Sequence, residues 1–113
     1  MHELGVLSAV IKTIEGIKEQ ENLTHIEKVV LQVGELSGIL PHYLEECYPA
    51  AVYKTFMENT KLEMDIVKGQ VLCNDCNTEF NGVECDLRCP KCGGQNLTAL
   101  SGKEFIIKEI VGY

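Results

Sequence analysis

Long apolar runs are absent from this sequence of 113 residues. A membrane-spanning helix needs roughly 20 consecutive, mostly apolar residues, so the sequence predicts no membrane segment and no membrane partner. The chain starts Met-His-Glu-Leu-Gly, without the basic residue and apolar core of a secretory signal. We therefore expect a cytoplasmic protein whose cysteines stay reduced and form no disulfides.

Positive charge is also scarce. The chain has 10 lysines and arginines against 17 aspartates and glutamates, which gives a formal net charge of −7. Residues 71–97, which contain the paired cysteines, hold two basic residues, Arg88 and Lys91, against four acidic ones, a net charge of −2. Because nucleic-acid binding depends on clustered lysine and arginine at the phosphates, we expect no nucleic-acid partner.

No arrangement of catalytic residues is recognisable in the sequence. It has no Ser/His/Asp set, no glycine-rich phosphate loop and no paired acids of the kind that general acid–base catalysis uses. We predict that the protein is not an enzyme.

Cysteine is well represented, and four of the six cysteines form two Cys-x-x-Cys pairs. The pairs are Cys73 with Cys76 and Cys89 with Cys92, and twelve residues separate them. Two facing pairs supply a tetrahedral set of four sulfurs, which suits Zn²⁺ best and iron next. Residues 71–97 have few large apolar side chains, so metal binding and folding should be coupled. We predict a structural zinc site in a ribbon-like module.

Other residues in and around these pairs carry less specific signals. Gly93 allows a tight turn with positive φ after the second pair, and Asn77 is placed to serve a similar turn after the first. Cys85 lies between the pairs, and its interpretations as a spare thiol or as an alternate ligand are both open. Cys47 lies on an apolar helical stripe and is predicted to be a small core residue.

The rest of the chain predicts an α+β fold. Helical spacing of apolar residues indicates helices over residues 3–20 and 41–59, with a kink or a separate short turn at Pro49. Alternating and β-branched patterns indicate strands over residues 25–33, 62–67 and 103–111.

These elements predict two helices packed on one face of a three-stranded mixed sheet. Residues 1–70 with 98–113 would form this domain, and the module of residues 71–97 would be inserted between its last two strands. We expect those two strands to lie together and to run antiparallel, and the first two strands to form a parallel crossover. In the last strand, Phe105, Ile107 and Val111 are predicted to share one face, with Ile106 and Ile110 on the other.

The first three residues have a coordination chemistry of their own. A free α-amine, the deprotonated backbone nitrogen of His2 and its imidazole can form fused chelate rings around one metal ion. The amide nitrogen or carboxylate of Glu3 could complete the set. Nitrogen donors in a plane suit Ni²⁺ and Cu²⁺. Histidines also occur near chain starts by chance, and a glutamate in a first helical turn is ordinary, so position alone leaves both interpretations open.

Several short motifs occur together in one order. They are Met-His-Glu-Leu at the start, Val33-Gly34-Glu35-Leu36-Ser37 after the first strand, the two cysteine pairs, and Glu104-Phe-Ile-Ile-Lys-Glu-Ile near the end. In this combination the sequence resembles, essentially end to end, the HypA/HybF family of nickel incorporation proteins of nickel–iron hydrogenase maturation.

The resemblance implies a nickel metallochaperone. It implies a nickel site formed by Met1, His2 and Glu3 through amine, backbone nitrogens and imidazole. It implies structural zinc on Cys73, Cys76, Cys89 and Cys92. It also implies a HypB-type GTPase as partner and delivery of Ni²⁺ into the hydrogenase large subunit, and in some bacteria the same family supplies urease. The sequence leaves open whether the protein is a monomer or a homodimer.

Two other functions are compatible with the paired cysteines. One is a rubredoxin-like electron carrier with iron in the four-cysteine site, and the other is a zinc-dependent module that only docks a partner protein. Colourless purified protein containing one zinc ion would remove the electron carrier.

Overall fold

The structure of the protein, a computed structural model, describes the backbone of residues 2–113 and the side chains of residues 3–113. In chain order its elements are α1 (His2–Gln20), β1 (Ile26–Gly34), α2 (Pro41–Val52), β2 (Lys61–Val67), β3 (Gln70–Cys73), β4 (Glu79–Asn81), β5 (Leu97–Ala99) and β6 (Phe105–Gly112). Within this described range, neither helix has the length and apolar character needed to cross a bilayer. The predicted α+β class is confirmed.

Helix α1 buries the apolar stripe that the sequence predicts. Leu7, Val10 and Ile14 are its buried side chains. The helix ends before Asn22, which takes a left-handed φ of 56°. Two backbone bonds close this end, from Asn22 to Glu19 and from Leu23 to Lys18, which is the usual way a left-handed residue terminates a helix.

Helix α2 is shorter than predicted. It begins at Pro41, where the missing N–H costs nothing, and it runs through Pro49 to Val52. The predicted continuation to residue 59 is wrong, because Lys54 adopts a positive φ of 59° and the chain continues in turns. The helix therefore lies mainly before Pro49, and no main helix follows it.

The main sheet has the strand order β2-β1-β6, with β1 at its centre. Strand β1 pairs in parallel with β2 and antiparallel with β6, so the predicted mixed sheet and parallel crossover are confirmed. The prediction that the last two strands of this sheet lie side by side is wrong. Strands β2 and β6 flank the inserted segment but lie at opposite edges, because each pairs with β1.

A bulge in β6 changes which side chains face the core. The register with β1 shifts between Val30 and Leu31, so that Ile107 and Glu109 face consecutive residues of β1 and Lys108 is the extra residue. Phe105, Ile107 and Ile110 therefore pack on the core. The predictions for the end of β6 are wrong, because strict alternation does not continue through a bulge. Ile110 shares the face of Ile107, and Val111, which is aligned with Lys28, lies on the other face.

Both helices cover one face of this sheet. Val29, Leu31 and Val33 of β1 join residues of α1 and α2 in one buried cluster. The opposite face is open and polar, with ion pairs from Lys28 to Glu63 and to Glu109. Exposed pairs of this kind contribute little to stability, so the fold depends on the helix-covered face.

Candidate metal centre

Strands β3, β4 and β5 form a second, antiparallel sheet in the order β4-β3-β5, and it carries the paired cysteines. Each pair lies on a turn of the same construction, the first starting at Cys73 and the second at Cys89. The residue after each pair has a left-handed φ, 60° at Asn77 and 74° at Gly93. Each donates its N–H to the carbonyl of the first cysteine of its pair, at 2.8 Å and 2.9 Å. Glycine and asparagine are the residues that adopt this conformation most readily.

The two turns face each other and bring four sulfurs together. The Sγ atoms of Cys73 and Cys92 are 3.5 Å apart, as are those of Cys76 and Cys89, and all four lie within 4.8 Å of one another. A metal–sulfur distance of about 2.3 Å in a tetrahedron requires sulfurs about 3.8 Å apart. The cluster therefore fits a tetrahedral thiophilic ion such as Zn²⁺, or iron in the same geometry.

Backbone amides point at two of these sulfurs. The N–H groups of Lys91 and Cys92 point to the Cys89 Sγ, at 3.4 Å and 3.5 Å, and the Gly94 N–H points to the Cys92 Sγ at 3.4 Å. Such donors favour the thiolate over the thiol. The turn therefore prepares its sulfurs to act as metal ligands.

The sulfurs affect one another's ionisation. A hydrogen bond with the Thr78 hydroxyl lowers the pKa of Cys76 to about 6. The Gly94 N–H favours the thiolate of Cys92, but the neighbouring sulfurs, Cys73 foremost, outweigh it and raise the pKa of Cys92 to about 12. Four thiolates this close repel one another, and a bound dication removes that repulsion.

The core of this second sheet is small. Its buried residues are Val71, Cys73, Phe80 and Cys89, so two of its four members are cysteines of the cluster. Cys85 packs against this core but does not belong to the four-sulfur cluster. Cys47 packs, partly buried, against the main core, where the sequence predicts it.

A carboxylate joins the two sheets at the loop after β1. Glu35 accepts hydrogen bonds from the Gly69 N–H at 2.8 Å and from the Asn81 side-chain amide at 3.1 Å. The bond from Gly69 is the main cause that lowers the pKa of Glu35, followed by Asn81 and by the positive charge of Lys68. This role of Glu35 was not predicted, because its place in the Val-Gly-Glu-Leu-Ser motif gives no sign of partners that lie 34 and 46 residues away along the chain.

Close backbone packing completes this junction. The Leu36 N–H donates to the Gly102 carbonyl at 2.7 Å, and the Leu36 side chain packs on the core of the second sheet. A Cβ atom on Gly34 would overlap the Gly102 carbonyl, and one on Gly102 would lie 2.8 Å from the Lys68 carbonyl oxygen and from the Gly69 Cα. The two sheets meet here because glycines permit the approach.

Two of the three predicted nickel residues fall in the part of the chain that the structure describes. Met1 lies outside the described residues, and for His2 only the backbone is described, as the first residue of the helix. Glu3 lies in the first turn of α1. Among the residues whose side chains are described, the four cysteines are the group that could hold a metal ion. His25 lies against Tyr113, and His42 against Tyr43.

Comparison with known families gives this geometry a context. The family model described as "Hydrogenase/urease nickel incorporation, metallochaperone, hypA" matches residues 1–112. The chain belongs to the HypA family. The resemblance inferred from the sequence is thus confirmed, and HypA proteins are metallochaperones that incorporate nickel into hydrogenase or urease.

Individual relatives agree with this family. The chain is 38% identical over 112 residues to hydrogenase maturation factor HypA of Streptomyces avermitilis, covering 97% of this chain and 86% of that protein. It is 33% identical over 110 residues to the HypA of Aquifex aeolicus, covering 97% of this chain and 96% of that protein.

Solved HypA structures share the fold. The solution structure of the nickel metallochaperone HypA from Helicobacter pylori matches with a TM-score of 0.65 and 23% identity, over 96% of this chain and 94% of that one. A second HypA solution structure matches with a TM-score of 0.68, also at 23% identity, over 100% and 97% of the two chains.

Proposed function

We propose that this protein binds Ni(II) at its N-terminus and, with a HypB-type GTPase, delivers it to the hydrogenase large subunit, or to urease where that enzyme is present. Membership of the HypA family, whose model spans residues 1–112, is the observation that carries the proposal. The ligands would come from Met1, His2 and Glu3, as the family resemblance implies. Nickel is cargo here and not a resident cofactor.

The start of α1 supports a site built partly on backbone nitrogens. The first four N–H groups of an α-helix have no acceptor within the helix, and α1 begins at His2. Metal binding by the amide nitrogens of His2 and Glu3 would therefore break no hydrogen bond of the helix. Protonation of an amine, imidazole or amide nitrogen weakens such a site, which gives the protein a way to release its cargo.

The four-cysteine cluster would hold zinc with a structural role. Its four protein ligands close the coordination shell, and a closed shell is typical of structural and not catalytic zinc. Cys73 and Cys89 also form half of the buried core around it, so the residues from 71 to 97 would act as a module that needs its metal to fold. A four-thiolate site persists in a reducing compartment, which agrees with a cytoplasmic location.

The two sites should select different metals. Thiolates in a tetrahedron favour Zn²⁺, whereas nitrogen donors in a plane favour Ni²⁺. The protein would therefore keep its zinc while nickel is loaded and released. No step of bond-making in a substrate is required, which agrees with the prediction of a non-enzymatic function.

Nickel titration of the zinc-loaded protein tests the proposal. We expect one nickel ion to bind per chain, and His2→Ala or an N-terminally acetylated variant to weaken that binding by at least about tenfold, because the first change removes the imidazole and the second removes the free amine. His25→Ala is the matched control and should leave the affinity unchanged. Unchanged nickel binding in both N-terminal variants would show that the site lies elsewhere.

A further inference from the structure

Strand β2 is the most exposed part of the main sheet next to an open apolar groove. None of its seven residues is buried, and among the described residues its outer edge pairs with no other strand. Unpaired edges of this kind are templates for a strand from another chain.

The groove lies beside the end of β2, between the two sheets. One cavity of about 280 Å³ is bounded by the start of α2, by Ile66 and by Val83. A second cavity of about 480 Å³ shares Glu35 and Val83 with the first and continues to Leu87. The two form one continuous groove.

The walls of this groove contain a group of exposed apolar side chains. Four large apolar side chains lining it are 46% to 50% exposed, namely Leu40, Val83, Ile66 and Leu87. Grouped exposure of this kind, in contrast to scattered single residues, marks an interaction site. The only charged residues in the lining are acidic, Glu35 and Asp86.

The two faces of β2 differ in chemistry. By its register with β1, the side chains of Leu62, Met64 and Ile66 point to the helix-covered face. Of the three, Ile66 lines the groove. The side chains of Glu63 and Asp65 point to the open face, where Glu63 pairs with half-buried Lys28 and Asp65 with exposed Lys108. The two acidic side chains remain 56% and 51% exposed beside these lysines. A strand added to this edge would therefore meet apolar neighbours on one face and carboxylates on the other.

We propose that the edge of β2 and the adjoining groove bind an extended segment of a partner protein in which apolar and basic side chains alternate. The apolar side chains face Met64, Ile66 and the groove, and the basic ones face Glu63 and Asp65. This surface includes none of the first three residues, which form the proposed nickel site.

Charge argues against a second copy of the chain as the occupant. The chain carries a net charge of −7, and pairing two β2 edges would set Glu63 and Asp65 of one chain beside the same residues of the other. Like charges directly opposite each other destabilise a strand pair. A basic segment gains from the same carboxylates.

Peptide titration of the zinc-loaded, full-length protein, followed by NMR of its backbone amides, tests the proposal. The probe is a seven-residue peptide of alternating valine and lysine, the length of β2. One control has the same composition with the valines and lysines in separate blocks, and another alternates valine and glutamate. We expect saturable shifts confined to β2 and the groove with the alternating lysine peptide, and binding at least about tenfold weaker with either control.

Variants of the protein locate the site. Ile66→Lys and Val83→Lys should each weaken binding about tenfold, whereas Leu100→Lys, at a side chain 49% exposed outside the groove, should leave it unchanged. Reversing the charge of Glu63 and Asp65 to lysine should transfer the preference to the glutamate peptide.

Several outcomes would overturn the proposal. Equal binding of the block peptide would show a diffuse attraction to an acidic protein. Loss of binding in Ile106→Lys and not in Ile66→Lys would place the segment on β6. Concentration-dependent pairing of the protein through β2, without bound peptide, would identify a second copy as the occupant.

Discussion

Glycine residues allow the backbones of the two sheets to touch at their junction. Gly34 and Gly102 face each other there, and neither site has room for a Cβ atom. Gly102 also has a φ of 80°, a conformation that other residues adopt only with strain. Gly102 is therefore restricted twice, by the lack of space for a Cβ atom and by its positive φ.

Alanine at Gly34 should therefore destabilise the protein. The new methyl group would meet the Gly102 carbonyl, which belongs to the backbone and cannot rotate away, so we expect a loss of about 2–4 kcal/mol. Gly16→Ala is the matched control, because nothing lies within 4 Å of a Cβ at that helical position. It should stabilise by about 0.5–1 kcal/mol. Denaturant unfolding of the zinc-loaded variants measures both, and equal effects would contradict this account of the junction.

The Glu35 carboxylate at the same junction makes the stability of the folded protein depend on pH. Its pKa is lowered from 4.5 by the Gly69 N–H and the Asn81 amide, so its folded form holds a proton less readily than its unfolded form. The stabilisation is present above the unfolded value and is lost as the pH falls through the lower, folded pKa. Glu35→Gln should therefore be less stable than the wild type at pH 7.

The difference between the two proteins should begin to shrink as the pH falls below 4.5, where the unfolded wild type takes up a proton on Glu35. It should vanish below the lower, folded pKa, where both proteins carry an uncharged side chain. Unfolding measured across this pH range gives the difference directly. A difference that stays constant with pH would mean that the charge of Glu35 contributes nothing to the junction.

At the level of helices and strands, the sequence predicts the type of each element more reliably than it predicts which strands pair. The stripe of α1 and the alternation of β1 are local patterns, and the structure contains both elements within a residue or two of prediction. Strand order depends on long-range pairing, so the position of β1 between β2 and β6 was not visible from adjacency in the chain. The bulge at Lys108 likewise requires a partner strand before it can be recognised.

The candidate site shows the same difference between features that local sequence predicts and features that depend on distant residues. The spacing of the two cysteine pairs is enough to predict a four-sulfur cluster, and the structure brings those sulfurs together. Glu35 has no such local signal, because its partners Gly69 and Asn81 are 34 and 46 residues away. A bond over that distance becomes apparent only when both sheets are in place.

Removing zinc should unfold one sheet and leave the other. The β3–β4–β5 sheet has a core of four buried residues, two of them cysteines of the cluster, whereas the main sheet and helices share a larger core that contains none of those four. After chelation we expect fast amide exchange from residue 71 to 97 and continued protection in α1 and β1. Protection of β3 in metal-free protein would contradict a structural role for the metal.

Variants separate the cluster from the other thiols. Cys89→Ser should abolish zinc binding and reproduce the chelated state. Cys85→Ser should bind one zinc ion as the wild type does, because the Cys85 sulfur does not belong to the four-sulfur cluster. Metal content by elemental analysis distinguishes the two results.

As a whole, the molecule is long, with extents of 54 × 26 × 16 Å and a radius of gyration of 17.3 Å. A compact chain of about 100 residues has a radius of gyration near 13 Å. The shape results from two sheets joined end to end at Glu35, Leu36 and the glycines around them. It gives each of the two proposed metal sites its own surroundings, the four sulfurs beside the second sheet and the start of α1 in the helix that contributes to the main core.

X-ray absorption at the nickel and zinc edges of one doubly loaded sample tests the central claim most directly. The account predicts nitrogen and oxygen neighbours alone around nickel, and four sulfurs at about 2.3 Å around zinc. Sulfur neighbours around nickel would contradict it, because they would place the cargo in the cysteine cluster and not at the N-terminus.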